Sequence, residues 1–182
     1  MDTYVVNFIG GPGSGKTVNA TLTFAQLKLL HCVAEYVNEY AKKLVWLGDF
    51  ESLSNQYQVS LKQFRLLNVM NGKVKYIVTD ACLLHGLYYN KNYENNVSNV
   101  KKTEEKIWEC YNKFKNINIF LVRGSWPYEQ EGRYQTEHLA KKIDSELENI
   151  LIDNKLEYMR YDPDKNTISN ILDYIKLKSK LG

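Results

Sequence analysis

The sequence is short of several features that would point to particular classes of protein. Its three cysteines, Cys32, Cys82 and Cys110, are widely separated and form no C-x-x-C pair. A disulfide framework or a zinc site is therefore not expected, and a reducing compartment fits better. There is no apolar run of about 18 residues, so no membrane-spanning helix is predicted. The net charge is only +3, so no overall basic field favours nucleic-acid binding.

No targeting segment is expected at the amino terminus, because Met1 and Asp2 lead directly into an apolar stretch. The sequence therefore predicts a cytoplasmic protein with no membrane association. Its 182 residues, 44% hydrophobic and 25% charged, are typical of one globular domain with a sizeable core. No linker or internal repeat divides the chain, and we predict a single domain over 1–182.

Arginine is scarce, since only four of the 24 basic residues are arginine: Arg65, Arg123, Arg133 and Arg160. Against a background of lysine, an arginine indicates a position where the planar guanidinium group is needed. Two of the four flank one segment after the fourth predicted strand. That segment is therefore a candidate for function.

What the sequence does contain is a phosphate-binding loop, GGPGSGKT over Gly10–Thr17, which matches G-x-x-x-x-G-K-[ST]. Glycines let such a loop curl until successive N–H groups point at phosphate oxygens, and the helix that follows adds its positive end. Lys16 is expected to reach the β- and γ-phosphates of ATP, and the Thr17 hydroxyl to ligate Mg²⁺. The residues predicted to bind the nucleotide here are Gly11, Gly13, Ser14, Gly15, Lys16 and Thr17.

Apolar, β-branched strands alternate with helical segments along the chain. Alternation of this kind indicates a parallel sheet covered by helices on both faces, which is an α/β three-layer sandwich. In such sheets ligands bind beyond the carboxyl ends of the strands. The five predicted strands are Thr3–Ile9, Cys32–Val37, Val74–Thr79, Ile117–Val122 and Leu156–Tyr161.

Polar residues that follow these strands form the rest of the predicted site. Asp80, after the third strand, can hold Mg²⁺ or accept the proton of an attacking hydroxyl. Glu39, after the second strand, faces the group opposite the nucleotide, or is simply a carboxylate favoured by a helix dipole. His85 is a candidate contact to the substrate, although a structural role is favoured. Arg160 and Asp162 frame the adenine or form an ordinary turn.

The segment RGSWPYEQEGRY at 123–134 has the composition of a lid, which we place at about 123–135. Gly124 and Gly132 can act as hinges, and Trp126 adds bulk. Such a lid puts guanidinium charge on the transferring phosphoryl group and excludes water, which prevents wasteful hydrolysis of ATP. Arg133 is the preferred catalytic arginine and Arg123 the second. A surface loop with chance arginines is the alternative.

Together these residues resemble the small P-loop kinases of the nucleoside and nucleotide kinase group, and within it the NadR-like AAA-type kinases. The similar segments are EYAK at Glu39–Lys42, the Thr79–Asp80 end of the third strand, and an arginine-bearing lid before a long helix. The stretches VTDACLLHGLYY and GRYQTEHLAKKID are also similar to P-loop kinases of tailed bacteriophages. The resemblance implies the P-loop NTPase fold with strand order 2-3-1-4-5, ATP and Mg²⁺ as cofactors, and an acceptor contact at Lys42.

We therefore predict an ATP-dependent kinase, in the host cytoplasm if it is encoded by a phage. It transfers the γ-phosphoryl group to a hydroxyl of a nucleoside, a nucleotide, or a 5-hydroxymethyl pyrimidine in phage DNA. Asp80 or Glu39 orients that hydroxyl, and Arg133, with Arg123, neutralises the moving charge. The alternative is a P-loop ATPase or switch module that acts on a partner protein without a small-molecule acceptor. An oligomer is compatible with either function.

Overall fold

A five-stranded parallel sheet organises the structure, a computed structural model that describes residues 1–128 and 135–180. The strand order is β2-β3-β1-β4-β5, which confirms the predicted order 2-3-1-4-5. The central strand β1 is buried along its whole length, as expected where helices cover both faces of a parallel sheet. The strands are β1 (Tyr4–Ile9), β2 (Ala34–Val37), β3 (Tyr76–Thr79), β4 (Lys115–Leu121) and β5 (Tyr158–Tyr161).

Helices connect the strands and cover both faces of the sheet. Alternate side chains of β1 point to opposite faces: Val5 and Ile9 belong to the apolar cluster under α4 to α7, and Val6 and Phe8 to the cluster under α1 and α8. This arrangement is the predicted three-layer sandwich. The helices are α1 (Lys16–Leu29), α2 (Tyr40–Leu47), α3 (Phe50–Ser54), α4 (Gln56–Asn68), α5 (His85–Asn92), α6 (Val100–Tyr111), α7 (Glu137–Asp153) and α8 (Ile168–Lys180).

The region between β2 and β3 forms more separate helices than the spacing of its apolar residues predicts. The spacing predicts one helix over 49–70, but the chain forms α3 and α4 with a break at Asn55. The Asn55 side chain accepts a hydrogen bond from the Gln58 N–H at 3.1 Å, which starts a new helix there. An asparagine at position 38 predicts the N-cap of α2, yet Glu39 occupies that position without a side-chain capping bond. A side-chain hydrogen bond therefore sets the start of α4, whereas the start of α2 has no such bond.

The asparagine-rich stretch after β3 is also more ordered than its composition predicts. The composition of residues 90–99 predicts a surface excursion, but residues 90–92 complete α5 and Asn90 is buried. The Asn90 amide donates to the Val100 carbonyl at 2.8 Å, and Asn96 donates to the Asn90 carbonyl at 2.6 Å. These side-chain amides replace the backbone partners that an irregular segment lacks.

A network of asparagines joins the two central strands. Asn7 on β1 pairs in register with Asn118 on β4, and the Asn7 amide donates to the Asn118 side-chain oxygen at 3.1 Å. Asn118 also donates to the Tyr111 hydroxyl at 2.8 Å and to the Glu157 carbonyl at 3.1 Å. All three side chains are buried, so each hydrogen bond satisfies a group that water cannot reach. Within the described ranges, no helix is long and apolar enough to cross a membrane.

We expect Asn118→Ala to lower the free energy of unfolding by about 2 to 3 kcal/mol, because it strips partners from several buried polar groups at once. Urea denaturation followed by circular dichroism measures this change. Asn154→Ala is the matched control, since Asn154 is exposed and donates only to the Ile150 carbonyl of its own helix. Equal stability losses in the two variants would show that the network contributes nothing specific.

Candidate active site

The phosphate-binding loop connects β1 to α1 and keeps its backbone open towards a ligand. Gly13 and Gly15 have φ angles of 74° and 86°, in the left-handed region that favours glycine. Gly15 is the residue before the first turn of α1, so the N–H groups of that turn remain free to bind an anion. The Lys16 ammonium donates to the Gly11 carbonyl at 2.8 Å, which holds it across the loop.

Asp80 and Thr17 meet at the floor of the loop. The Thr17 hydroxyl donates to Asp80 Oδ2 at 2.5 Å, and Asp80 is only 4% exposed. The other carboxylate oxygen, Oδ1, is buried and has no hydrogen-bond partner among the described residues. A free carboxylate oxygen next to a threonine hydroxyl fits Mg²⁺, which binds one or two carboxylates and completes its shell with phosphates and water. Within 1–128 and 135–180, no group of three or more histidine, cysteine, aspartate or glutamate side chains could hold a metal ion by itself.

Charged groups of both signs converge at this floor. Burial lowers the pKa of Lys16, while the carboxylates of Glu39, Asp80 and Asp144 act in the opposite direction. Burial raises the pKa of Glu39, and the negative charge of Asp80 raises it further against the attraction of Lys16. Removal from water therefore drives both groups towards their neutral forms, and the opposite charges nearby counteract this tendency.

Tyr36 is a site residue that sequence reasoning missed. It lies on β2 beside Val78 of β3, two residues before Asp80. Its hydroxyl is buried and lies within interaction range of the Asp80 carboxylate. Burial and the charges of Asp80 and Glu39 raise the Tyr36 pKa far above its ordinary value, so it remains a proton donor. A hydroxyl near the end of a strand that neighbours an acidic strand end was the available signal.

Asp144 on α7 is the second residue that sequence reasoning missed. Its Oδ1 accepts from the Gly11 N–H at 2.5 Å, and its Oδ2 pairs with Arg123 Nη2 at 2.8 Å. A Cβ at position 11 would lie 2.7 Å from the Ala140 carbonyl, so only glycine allows this approach. An acidic residue next to the apolar stripe of α7 was the available signal, but its partner in the phosphate loop, Gly11, lies 133 residues earlier.

Arg123 lies against the phosphate loop, and its role on the transferring phosphoryl group stays a prediction. Its guanidinium binds Asp144 and donates to the Pro12 carbonyl at 2.9 Å. Trp126 also contacts the loop, because its indole N–H donates to the Gly13 carbonyl at 3.4 Å. Arg133, the preferred catalytic arginine, lies outside the described residues.

His85 borders the loop from the side opposite Asp144. Its Nε2 accepts from the Gly10 N–H at 3.5 Å, a long hydrogen bond, and the side chain is buried. Burial and the nearby Lys16 charge lower the His85 pKa to about 3. The imidazole is therefore neutral at physiological pH.

Arg160 and Asp162 lie at the end of β5, where both make local ion pairs. Arg160 binds Glu148 on α7 at 2.9 Å, and Asp162 binds Lys165 at 3.0 Å. Neither shows a bond to the phosphate loop among the described residues. Their contact with adenine stays a prediction.

A cavity of about 560 Å³ is lined by the phosphate loop, by side chains of α2, α3, α4 and α5, and by Leu139, Ile143 and Leu147 of α7. The three residues predicted to bind the acceptor, Glu39, Lys42 and His85, all line it, together with Lys16 and Thr17. Its volume lies within the range of small-molecule sites. The structure thus brings the phosphate loop, two carboxylates and a small-molecule cavity together.

A family model described as AAA domain matches residues 5–165 of the chain. No curated protein sequence matches it. Among solved structures, the chain is similar to the Mycobacterium tuberculosis APS kinase CysC in complex with AMPPNP and APS. The two share 11% sequence identity and a TM-score of 0.52 over 96% of this chain and 98% of that one. Similarity at this level of identity shows a shared fold.

The depressed pKa of His85 predicts an acid-sensitive fold. The unfolded state binds a proton near pH 6.5 and the folded state only near pH 3, so stability is complete above pH 6.5 and falls as the pH drops. We expect a loss of about 2 kcal/mol between pH 6.5 and pH 5 from this group. His85→Gln, which keeps an acceptor but cannot titrate, should remove that loss in urea denaturation. Exposed His138→Gln is the control, and an unchanged pH dependence in His85→Gln would contradict the prediction.

Proposed function

The chain belongs to the AAA domain family of P-loop NTPases, and from this premise we propose that it is an ATP-dependent kinase. It transfers the γ-phosphoryl group to a hydroxyl of a nucleoside-type or nucleotide-type acceptor. The sequence resemblance to NadR-like and phage kinases at Glu39–Lys42 and Thr79–Asp80 supports that class, including a 5-hydroxymethyl pyrimidine in DNA. The fold shared with an APS kinase supports phosphoryl transfer.

One observation carries the proposal: the cavity begins where Lys16 and Glu39 lie and continues away from the loop. A P-loop ATPase needs space only for a water molecule beside the γ-phosphate. The cavity of about 560 Å³ includes the space beside the phosphate loop, and its continuation past Glu39 and Lys42 to side chains of α3, α4 and α5 supports a second substrate there. The position of Glu39 at its inner end supports a hydroxyl acceptor there.

Phosphoryl transfer in this site is an exchange of two bonds to phosphorus. The acceptor oxygen bonds to the γ-phosphorus of ATP, the bond to the β,γ-bridging oxygen breaks, and ADP leaves. Lys16 and the loop N–H groups hold the phosphate oxygens in place. Thr17 and Asp80 Oδ1 would hold Mg²⁺, which when bound neutralises phosphate charge.

The acceptor proton goes to a carboxylate, and Glu39 is the better placed of the two. Asp80 already uses Oδ2 for Thr17, and its Oδ1 fits the metal. Glu39 lines the cavity, and burial raises its pKa towards the range in which a general base is effective. In this assignment Asp80 would hold the metal ion, and Glu39 accepts the proton of the acceptor hydroxyl.

Lys16→Ala should reduce nucleotide turnover by about 100-fold or more, because it removes a cation from the phosphates in the transition state. The assay measures ADP release from ATP with nucleosides, nucleotides and hydroxymethylated DNA as acceptors. Lys62→Ala, an exposed position on α4, is the matched control. Full activity of Lys16→Ala refutes the assignment. ADP release that depends on no acceptor would instead favour the ATPase or switch module.

The raised pKa of Glu39 predicts the pH dependence of the reaction. A general base must be deprotonated, so kcat should rise with pH up to a pKa above the ordinary value for glutamate. Glu39→Gln should lower kcat by about 100-fold or more and remove this rise. The measurement is kcat against pH at saturating ATP and acceptor. A rise that persists in Glu39→Gln would assign the base to Asp80.

A further inference from the structure

The Arg123 guanidinium is held along one edge by two oxygen atoms. Its Nε and Nη2 lie 3.0 Å and 2.8 Å from Asp144 Oδ2, and Nη2 also donates to the Pro12 carbonyl at 2.9 Å. The Arg123 and Asp144 side chains are only 13% and 15% exposed, so salt screens their attraction weakly. Because a guanidinium is planar and rigid, contacts through these two nitrogens also fix the position of the third, Nη1.

Nη1 of Arg123 lies beside the phosphate-binding part of the loop. A Cβ at Gly13 would come within 3.2 Å of Nη1, so this nitrogen is close to the loop backbone. The structure shows no hydrogen bond from Nη1 to any residue of 1–128 and 135–180. The two N–H groups of Nη1 can therefore donate to a phosphate oxygen, which is an acceptor that arginine side chains commonly bind.

Asp144 also offsets the repulsion between two cations at this loop. Burial lowers the pKa of Lys16 and the charge of Arg123 lowers it further, whereas Asp144 is among the carboxylates that act in the opposite direction. Lys16 and Arg123 are therefore close enough to repel each other, and Asp144 is close enough to attract both. A site that holds its cations in place before the anion arrives avoids reorganisation when the anion binds.

The same carboxylate fixes the backbone of the loop. Asp144 Oδ1 accepts from the Gly11 N–H at 2.5 Å, so one oxygen holds the loop and the other holds Arg123. A Cβ at position 11 would lie 2.7 Å from the Ala140 carbonyl, which shows how closely α7 approaches the loop at this point. Asp144 thus sets where the guanidinium lies relative to the loop.

We propose that Asp144 is a positioning residue for the nucleotide: it holds the Arg123 guanidinium so that Nη1 contacts the phosphate tail of ATP. This inference rests on the nucleotide binding in the proposed function and is independent of the acceptor. Asp144 itself does not touch the nucleotide, and its negative charge alone would repel the phosphates. Its favourable contribution to binding therefore comes through Arg123.

The experiment measures the Kd of Mg-AMPPNP for the full chain by calorimetry. Asp144→Ala should raise the Kd by about 10-fold, because it releases the guanidinium and the loop from their common anchor. Arg123→Ala should raise the Kd by at least about 10-fold, because it removes a charged contact to the phosphates. An unchanged or lower Kd for Asp144→Ala overturns the inference, because removing a carboxylate that positions nothing would only relieve repulsion of the phosphates.

The double variant tests whether Asp144 acts through Arg123. Adding Asp144→Ala to Arg123→Ala should change the Kd by less than about 2-fold, because the group that Asp144 positions is then missing. A second loss as large as the first overturns the inference. Glu146→Ala is the matched control, because Glu146 pairs with Lys142 of the same helix at 3.8 Å, and its Kd should stay within about 2-fold. Equal losses for Glu146→Ala and Asp144→Ala would also contradict the inference.

Arg123→Lys separates positioning from a merely structural ion pair. Lysine keeps the charge and can still pair with Asp144, but its single ammonium group lacks the separate nitrogens that bind Asp144, Pro12 and a phosphate oxygen together. Positioning predicts a Kd about 5- to 10-fold higher and a urea midpoint that is little changed. An unchanged Kd overturns the inference. Because this variant keeps the ion pair, it decides the question even where Asp144→Ala does not fold.

Acceptor-dependent ADP release, measured in parallel, separates this inference from the proposed kinase function. Transfer to an acceptor without the expected changes in Kd overturns the inference and leaves the kinase function intact. The expected changes in Kd without transfer to any acceptor support the inference and count against the kinase function. Failure of the unaltered chain to bind Mg-AMPPNP overturns both.

Discussion

The hydrogen bond from the Thr17 hydroxyl to the Asp80 carboxylate is the interaction on which the candidate site depends. It joins the first turn of α1 to the end of β3, two segments that are 63 residues apart in the chain. They meet because β1 and β3 are parallel neighbours in the sheet, so their carboxyl ends emerge side by side. The same geometry brings β2 alongside β3 and places Tyr36 and Glu39 next to that pair.

Burying several charged groups at this edge of the sheet costs free energy. Pairing groups of opposite charge offsets most of that cost. Lys16 and Glu39 are each driven towards neutrality by burial, and each is held charged by the other. Asp80 repels Glu39, so the pair of carboxylates is compensated mainly by Lys16 and any cation held by Asp80 Oδ1. A site that binds a triphosphate must accommodate still more negative charge. Buried carboxylates are favourable in such a site only where lysine and a metal ion neutralise their charge together with that of the phosphates.

Much of the fold and the centre of the site could be predicted from the sequence, because both follow from local patterns. The glycines and Lys16 form one contiguous motif, and Asp80 is recognised as the residue that ends a buried strand. Asp144 and Tyr36 could not be predicted in this way. Asp144 acts through Gly11, 133 residues away, and that contact depends on how α7 packs against the loop. Side-chain capping at Asn55 and the amide bonds of Asn90 likewise override helix periodicity and composition, which are weaker signals.

Two side chains of different chemistry bind the backbone N–H groups at the start of the phosphate loop. Asp144 accepts from the Gly11 N–H and pairs with Arg123, so a charged pair holds this part of the loop. The Gly10 N–H donates to His85 Nε2, and the imidazole is neutral because burial and the Lys16 charge oppose its protonation. A carboxylate in its place would add negative charge beside Glu39, and an imidazolium could not accept the hydrogen bond. A neutral acceptor nitrogen therefore satisfies the loop backbone without adding charge of either sign beside Lys16 and Glu39.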